Sequence, residues 1–201
     1  MLAKLISVEF YVVFLTFCRI GAVFLTMPTI GETFISPRIR LTLALLVSVI
    51  MGPAVARHIP ALPPQITVLM LLIGTEILTG LFMGAIMRIM VSALATAGTV
   101  LAFLTGFSNA LLFNPLLSDQ GALQSVFLSM LGLMLILVTD THHLMFLAIA
   151  DSYRMFTVGN LPLIGDMAET IARLVADSFL LGMQLASPFI VVAVVYNVAL
   201  G

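Results

Sequence analysis

The amino-acid sequence predicts an all-α membrane protein, with about five to seven helices in hairpins and an irregular plug-like loop. Three observations carry this expectation. Of the 201 residues, 62% are hydrophobic and 8% charged, and the mean hydropathy is +1.24. A soluble domain carries about 25% charged residues, so lipid or neighbouring subunits must solvate much of this chain. Apolar runs of membrane-spanning length recur along it. One of them, Ile89 to Ser118, holds no ionisable residue in 30 positions. As a single helix it would measure about 45 Å, against roughly 30 Å of bilayer core. The chain, residues 1–201, reads as one domain.

The first span is expected over Val8 to Met27, with Arg19 as its interior charge. Lys4 and the run Phe10 to Cys18 superficially resemble a signal peptide. Glu9 interrupts that pattern and no small-x-small cleavage site follows, so the segment reads as a retained helix. A polar loop, PTIGETFISPRIR, leads to a second run from Leu41 to Ala56 that holds Pro53. The connector RHIPALPPQ, with three prolines, is a firm break. A third run spans Ile66 to Met87 and contains Glu76, and Arg88 then separates it from the long uncharged stretch. Within that stretch Gly106, Ser108, Asn109, Asn114 and Pro115 cluster. Pro115 disfavours helix at Asn114 and Gly106 is conformationally permissive. The expectation is a helix to about Thr105, an irregular segment GFSNALLFNPLLSDQG, and a new helix from Ala122 to Val138. A brief apolar run, Leu144 to Ala150, follows. The polar stretch Asp151 to Asp177 holds six of the 17 charged residues, and a last span runs from Ser178 to Leu200 through Pro188.

Irregular backbone at membrane depth must be buried in protein or line an aqueous path, because lipid cannot satisfy free N–H and C=O groups. Phe107, Leu111, Leu112 and Phe113 would then form a hydrophobic constriction able to close a conduit by dewetting. The plain alternative is an extramembrane turn that carries apolar residues. Arg19 and Glu76 stand inside apolar spans, where a charge costs roughly 2.5–3.5 kcal/mol on insertion scales. They can pair with each other, bond to a neighbouring subunit or relay protons. Gly80 and Gly84 make a small-xxx-small surface beyond Glu76, continued by Ala93, Ala97 and Gly98, which permits close helix approach without naming the partner.

Other chemistry is excluded on pattern. The net charge is −1 and the eight Lys and Arg are scattered, so no basic face suits nucleic acid. Cys18 is the single cysteine, which removes disulfide and Cys-metal frameworks. Adjacent His142 and His143 would point about 100° apart on a helix, so together with Asp140 and Asp151 they read as a polar helix end. LIGD, Leu163 to Asp166, lacks the first glycine of the intramembrane aspartyl protease motif and a partner Asp in a span. No nucleotide motif occurs, and no cofactor, metal or catalytic residue is expected.

Five segments carry a resemblance when taken in order: Arg19 followed by Met27–Pro28; SPRIRLTLALLVSVIMGP, Ser36 to Pro53; EILTGLFMG, Glu76 to Gly84; TAGTVLAFLTGFSNALLFNP, Thr96 to Pro115; and HHLMFLAIADSYRMFTVG, His142 to Gly159. Together they resemble the FliR family of flagellar and type III secretion export-gate subunits, over nearly the whole chain. Asn114 departs from the Asp that commonly precedes the proline in that family. The chain stops at YNVALG where family members continue through further apolar helices, which implies a member lacking those C-terminal helices.

The resemblance implies a structural subunit of a larger helical export gate in the bacterial inner membrane, at the flagellar basal body. Gly106, Phe107, Ser108, Asn109, Leu111, Leu112, Phe113, Asn114 and Pro115 would form the pore plug. Arg19, Arg38, Arg40, Glu76, Gly80 and Gly84 would be intramembrane polar or assembly positions. Implied partners are the P and Q export-gate proteins, the B-type export switch protein, unfolded secreted substrates and lipid. The rival reading is a small-solute or proton-coupled transporter that uses Arg19 and Glu76.

Overall fold

Helix ends fall largely where the sequence supplies caps and breakers. The structure, a computed structural model, describes residues 2–105, 123–160 and 163–200, with side chains from residue 9 onward. The plug-like segment expected at Gly106 to Pro115 lies outside the described residues. Six α-helices follow in order: α1 (Leu2–Thr26), α2 (Pro37–Val55), α3 (Ile66–Leu104), α4 (Leu123–Val138), α5 (Thr141–Met155) and α6 (Ile164–Leu200). A one-turn 3-10 helix, Ala56–His58, extends α2. Ser36 caps α2 by accepting from the Ile39 N–H, and Pro37 takes the first helical position, where its missing donor costs nothing. No strand occurs among the described residues. The protein is an all-α membrane protein: α1, α2, α3 and α6 are each long and apolar enough to cross a bilayer.

One expectation needs correction. Arg88 does not separate two helices. It lies inside α3, which runs unbroken for 39 residues, about 58 Å. Arginine is a good helix former, and its long side chain carries the charge out to the end of α1. There it reaches the Thr26 carbonyl at 3.4 Å and the Glu32 carboxylate at 3.8 Å. The polar stretch 151–177 is likewise mostly helical, completing α5 and opening the 37-residue α6. Asp166, Glu169, Arg173 and Asp177 recur at intervals of three and four residues, so they make one charged stripe on α6.

Chain packing divides the molecule into two compact units. The first comprises Met1–Arg88 and Thr141–Glu169. Its core is α1, whose Leu15, Ile20, Val23 and Phe24 are all buried, together with Met27 just past its end. Helix α2 turns back along α1 through a stripe of small residues, Ala44, Ser48 and Gly52, closed by Val55. A β-carbon at Gly52 would sit 3.2 Å from the Val13 side chain. Helix α3 runs parallel to α1: Glu76 meets Arg19 and, further on, Arg88 meets Thr26. Helix α5 is antiparallel to α1, with Phe146 edge-on to Phe24 and Ser152 at Arg19. The loop after α5 turns at Gly159, whose φ of +95° is a conformation that side chains rarely adopt.

Glycine sets the α1–α3 distance. A β-carbon at Gly80 would collide with the Arg19 carbonyl and stand 2.8 Å from the Ala22 β-carbon; at Gly84 it would collide with Thr26 Oγ1. The small-xxx-small pair therefore has a named partner, α1.

The second unit comprises Ile89–Asp140 and Thr170–Gly201. Ala93 and Ala97 of α3 are buried here. Gly98 lies against the backbone of Ser125 in α4, and Gly132 of α4 against Leu94, so α3 and α4 are antiparallel. Ser125 Oγ donates to the Ala95 carbonyl at 2.9 Å across that contact. A β-carbon on Gly182 of α6 would stand 2.9 Å from the Ala93 carbonyl.

Overpacking at such contacts costs about 1–3 kcal/mol. Gly84→Val is expected to lower resistance to SDS-induced unfolding by at least that much. Gly74→Ala, on the same helix with nothing within 4 Å of its β-carbon position, is expected not to lower it. Equal behaviour of the two variants would remove the close-approach explanation.

Candidate functional site

Helix α1 carries one charge, Arg19, to the middle of its apolar run, and lipid would leave it unsolvated. The structure buries it instead: Arg19 and Glu76 are each 1% exposed. Arg19 Nε donates to Glu76 Oε2 and Nη2 to Oε1, both at 2.7 Å, a bidentate fork that fits a planar guanidinium to a carboxylate. Nη1 donates to Ser152 Oγ at 3.1 Å, and Ser152 passes its own proton to the Ile149 carbonyl at 2.7 Å. Nη2 also donates to the Phe156 carbonyl at 3.0 Å. That carbonyl lies just past the end of α5, among the C-terminal groups left without helical partners, where positive charge is also favoured by the helix dipole. Below the guanidinium the Tyr153 ring lies 3.9 Å from the Arg19 Cζ.

One residue thus ties three helices together. Among the described residues it meets charge only on α3. The pair is held by two short bonds inside a low-dielectric core, and a proton placed on either Glu76 oxygen would displace the bond at that oxygen and leave the guanidinium charge without its counter-charge.

Three further arginines gather at the loop between α1 and α2. Arg40 donates through Nε to the Ile30 carbonyl at 3.1 Å and through Nη2 to the Glu32 carbonyl at 3.0 Å. Arg88 holds Thr26 and the Glu32 carboxylate from α3. The loop is tight: Thr29 adopts φ +78°, and a β-carbon on Gly31 would come within 2.6 Å of the Met27 carbonyl. Arg38 is exposed.

The plug-like segment is bracketed by described residues. Helix α3 ends at Leu104 and α4 starts at Leu123. Gln124 Nε2 reaches Thr105 Oγ1 at 3.4 Å, and Gly98 touches Ser125 one helical turn or two deeper. The two flanks of residues 106–122 therefore stand side by side at one end of an antiparallel pair.

The family described as "Bacterial export proteins, family 1" matches residues 10–201. The chain belongs to this family. Its relatives include the flagellar biosynthetic protein FliR of Caulobacter vibrioides, 39% identical over 193 residues that cover 96% of this chain and 77% of that protein. FliR of Bacillus subtilis is 30% identical, covering 93% and 73%. FliR of Escherichia coli is 26% identical, covering 91% and 69%. The match runs through α1 to α6, so the buried arginine network and the flanks of residues 106–122 both lie inside the family region.

The structure brings Arg19, Glu76, Gly80 and Gly84 to one α1–α3 contact and places Arg38 and Arg40 apart from them, at the start of α2. Ser152, Tyr153 and the Phe156 carbonyl complete the network and were not singled out as its members from the sequence. The signal for them was faint: a small hydroxyl and an aromatic ring at the end of an apolar run. Arg88 and Glu32 were also missed, because a salt link between a loop and a helix 56 positions apart has no local pattern. His142 and His143 place their ring centroids 4.2 Å apart, so the helical-wheel argument against their convergence was too strict.

Removing one partner of a buried ion pair strands the other at a cost of about 3–5 kcal/mol. Arg19→Met and Glu76→Met are each expected to reduce unfolding resistance by that order in detergent. The double variant should be clearly more stable than the sum of the two losses. Strictly additive losses in this double-mutant cycle would show that the pair is not coupled.

Proposed function

We propose that this chain is a structural, non-catalytic, channel-forming subunit of the flagellar type III protein export gate, set in the bacterial inner membrane at the basal body. Membership of the export family and likeness to flagellar biosynthetic proteins support the setting. The plug reading rests on one observation above all: the flanks of residues 106–122 are held together by Thr105 and Gln124 at one end of the α3–α4 pair.

In this reading Gly106, Ser108, Asn109, Asn114 and Pro115 give the segment its irregular path. Phe107, Leu111, Leu112 and Phe113 fill the conduit. Apolar side chains exclude water and ions, yet make no directional bonds that a passing unfolded chain would have to break. Close packing of α3 on α4 supplies the frame that carries this segment's flanks. The P and Q export-gate proteins and the B-type switch protein are the expected partners. They would cover apolar faces such as Phe127, Met130 and Met134 of α4, which this chain leaves exposed. Energy for export would come from other components.

Replacing Phe107, Leu111, Leu112 and Phe113 together with Ala, in the assembled gate, is expected to raise ion conductance across a planar bilayer while assembly is retained. Unchanged conductance would rule out the plug. Glu76→Gln is expected to weaken folding or co-purification with partners. Loss of transport from a fully assembled, stable Glu76→Gln gate would favour the proton-coupled transporter instead.

A further inference from the structure

A groove of about 370 Å³ opens beside the α1–α2 hairpin, lined by Phe17, Gly21 and Leu25 of α1, Leu41 of α2 and Ile77 of α3. Its size falls within the roughly 300–1,000 Å³ typical of small-ligand sites. The walls are apolar except at one end, where Arg40 enters the lining. Arg40 spends Nε and one Nη2 bond on the Ile30 and Glu32 carbonyls. Its Nη1 group donates to no acceptor among the described residues. Arg38, one turn from Leu41, is exposed and its guanidinium makes no hydrogen bond among the described residues. The nearby carboxylate, Glu32, already faces Arg88. The groove thus offers an apolar slot with unneutralised positive charge at its mouth. Glycine keeps the slot open: a β-carbon added to Gly21 would meet nothing within 4 Å.

We propose that this groove is a binding site for an anionic phospholipid, with an acyl chain between α1 and α2 and the phosphate at Arg40, flanked by Arg38. A zwitterionic lipid fits the slot equally but adds a cation beside two arginines. An arginine fork matches phosphate geometry, and basic residues at the membrane surface attract anionic headgroups. Bound there, the lipid would stiffen the same hairpin that positions Arg19.

The test reconstitutes the full chain in phosphatidylcholine vesicles containing a few per cent of a photoreactive lipid, its diazirine on the acyl chain. The headgroup is either phosphatidylglycerol or phosphatidylcholine. Labelled peptides are then mapped by mass spectrometry. The phosphatidylglycerol probe is expected to label residues 17–25 and 37–44 at least about tenfold more than the phosphatidylcholine probe, the order expected for two arginine–headgroup contacts. Gly21→Phe, which fills the groove without a clash at its β-carbon, should abolish this labelling. Arg38→Gln with Arg40→Gln should erase the headgroup preference while leaving acyl labelling. Equal labelling by the two probes of the unaltered chain overturns the proposal. So does labelling indifferent to Gly21→Phe, or a gate purified from membranes in which a partner protein crosslinks to this groove in place of lipid.

Discussion

A charge carried into an apolar helix must find a counter-charge or leave the membrane, and Arg19 finds Glu76. That pairing dictates most of the geometry of the first unit. Two bonds of 2.7 Å fix both the distance and the rotation of α1 against α3. The remaining donors of the same guanidinium reach Ser152 and the Phe156 carbonyl, so the end of α5 is fixed too. Breaking any one of these contacts would leave a polar group buried without water, so the contacts depend on one another.

The ion pair could not form at these distances without the glycines. Gly80 and Gly84 allow the α3 backbone to lie on the carbonyls of α1. In lipid no hydrophobic force drives one apolar helix against another, since the acyl chains are equally apolar. Close van der Waals contact and polar links must hold helices together instead. The second unit follows the same rule with other residues: Gly98 and Gly132 for α3 against α4, Gly182 for α6, and one hydroxyl bond from Ser125. Bulky side chains, by contrast, crowd the outer faces, as on α4.

This division of labour suits the role proposed for the chain. Rigid helix pairs carry the flanks of residues 106–122, and the work proposed for that segment needs only apolar bulk and an irregular backbone. A cluster of arginines at the α1–α2 loop gives the same hairpin a charged end, where it is pinned to α3 through Glu32 and Arg88.

Composition and periodicity by themselves determined the class of protein. So few charges and so many apolar runs admit only helices in a membrane, because a spanning segment must satisfy its own backbone. Local chemistry also placed the break before Ile66, whereas α2 begins at Pro37, inside the loop expected to run through Arg40. Helix continuity was another matter. Arg88 looked like a boundary because its charge interrupts an apolar run, and only the fold shows that its side chain reaches out of α3 to Thr26 and Glu32. The stripe from Asp166 to Asp177 is legible at its three- and four-residue spacing. Arg19 and Glu76 were visible as misfits, yet which partner each would take was a question of distances 57 positions apart in sequence. The tertiary structure alone decided that, because a buried charge is satisfied by whatever the packing of other helices brings within hydrogen-bond reach.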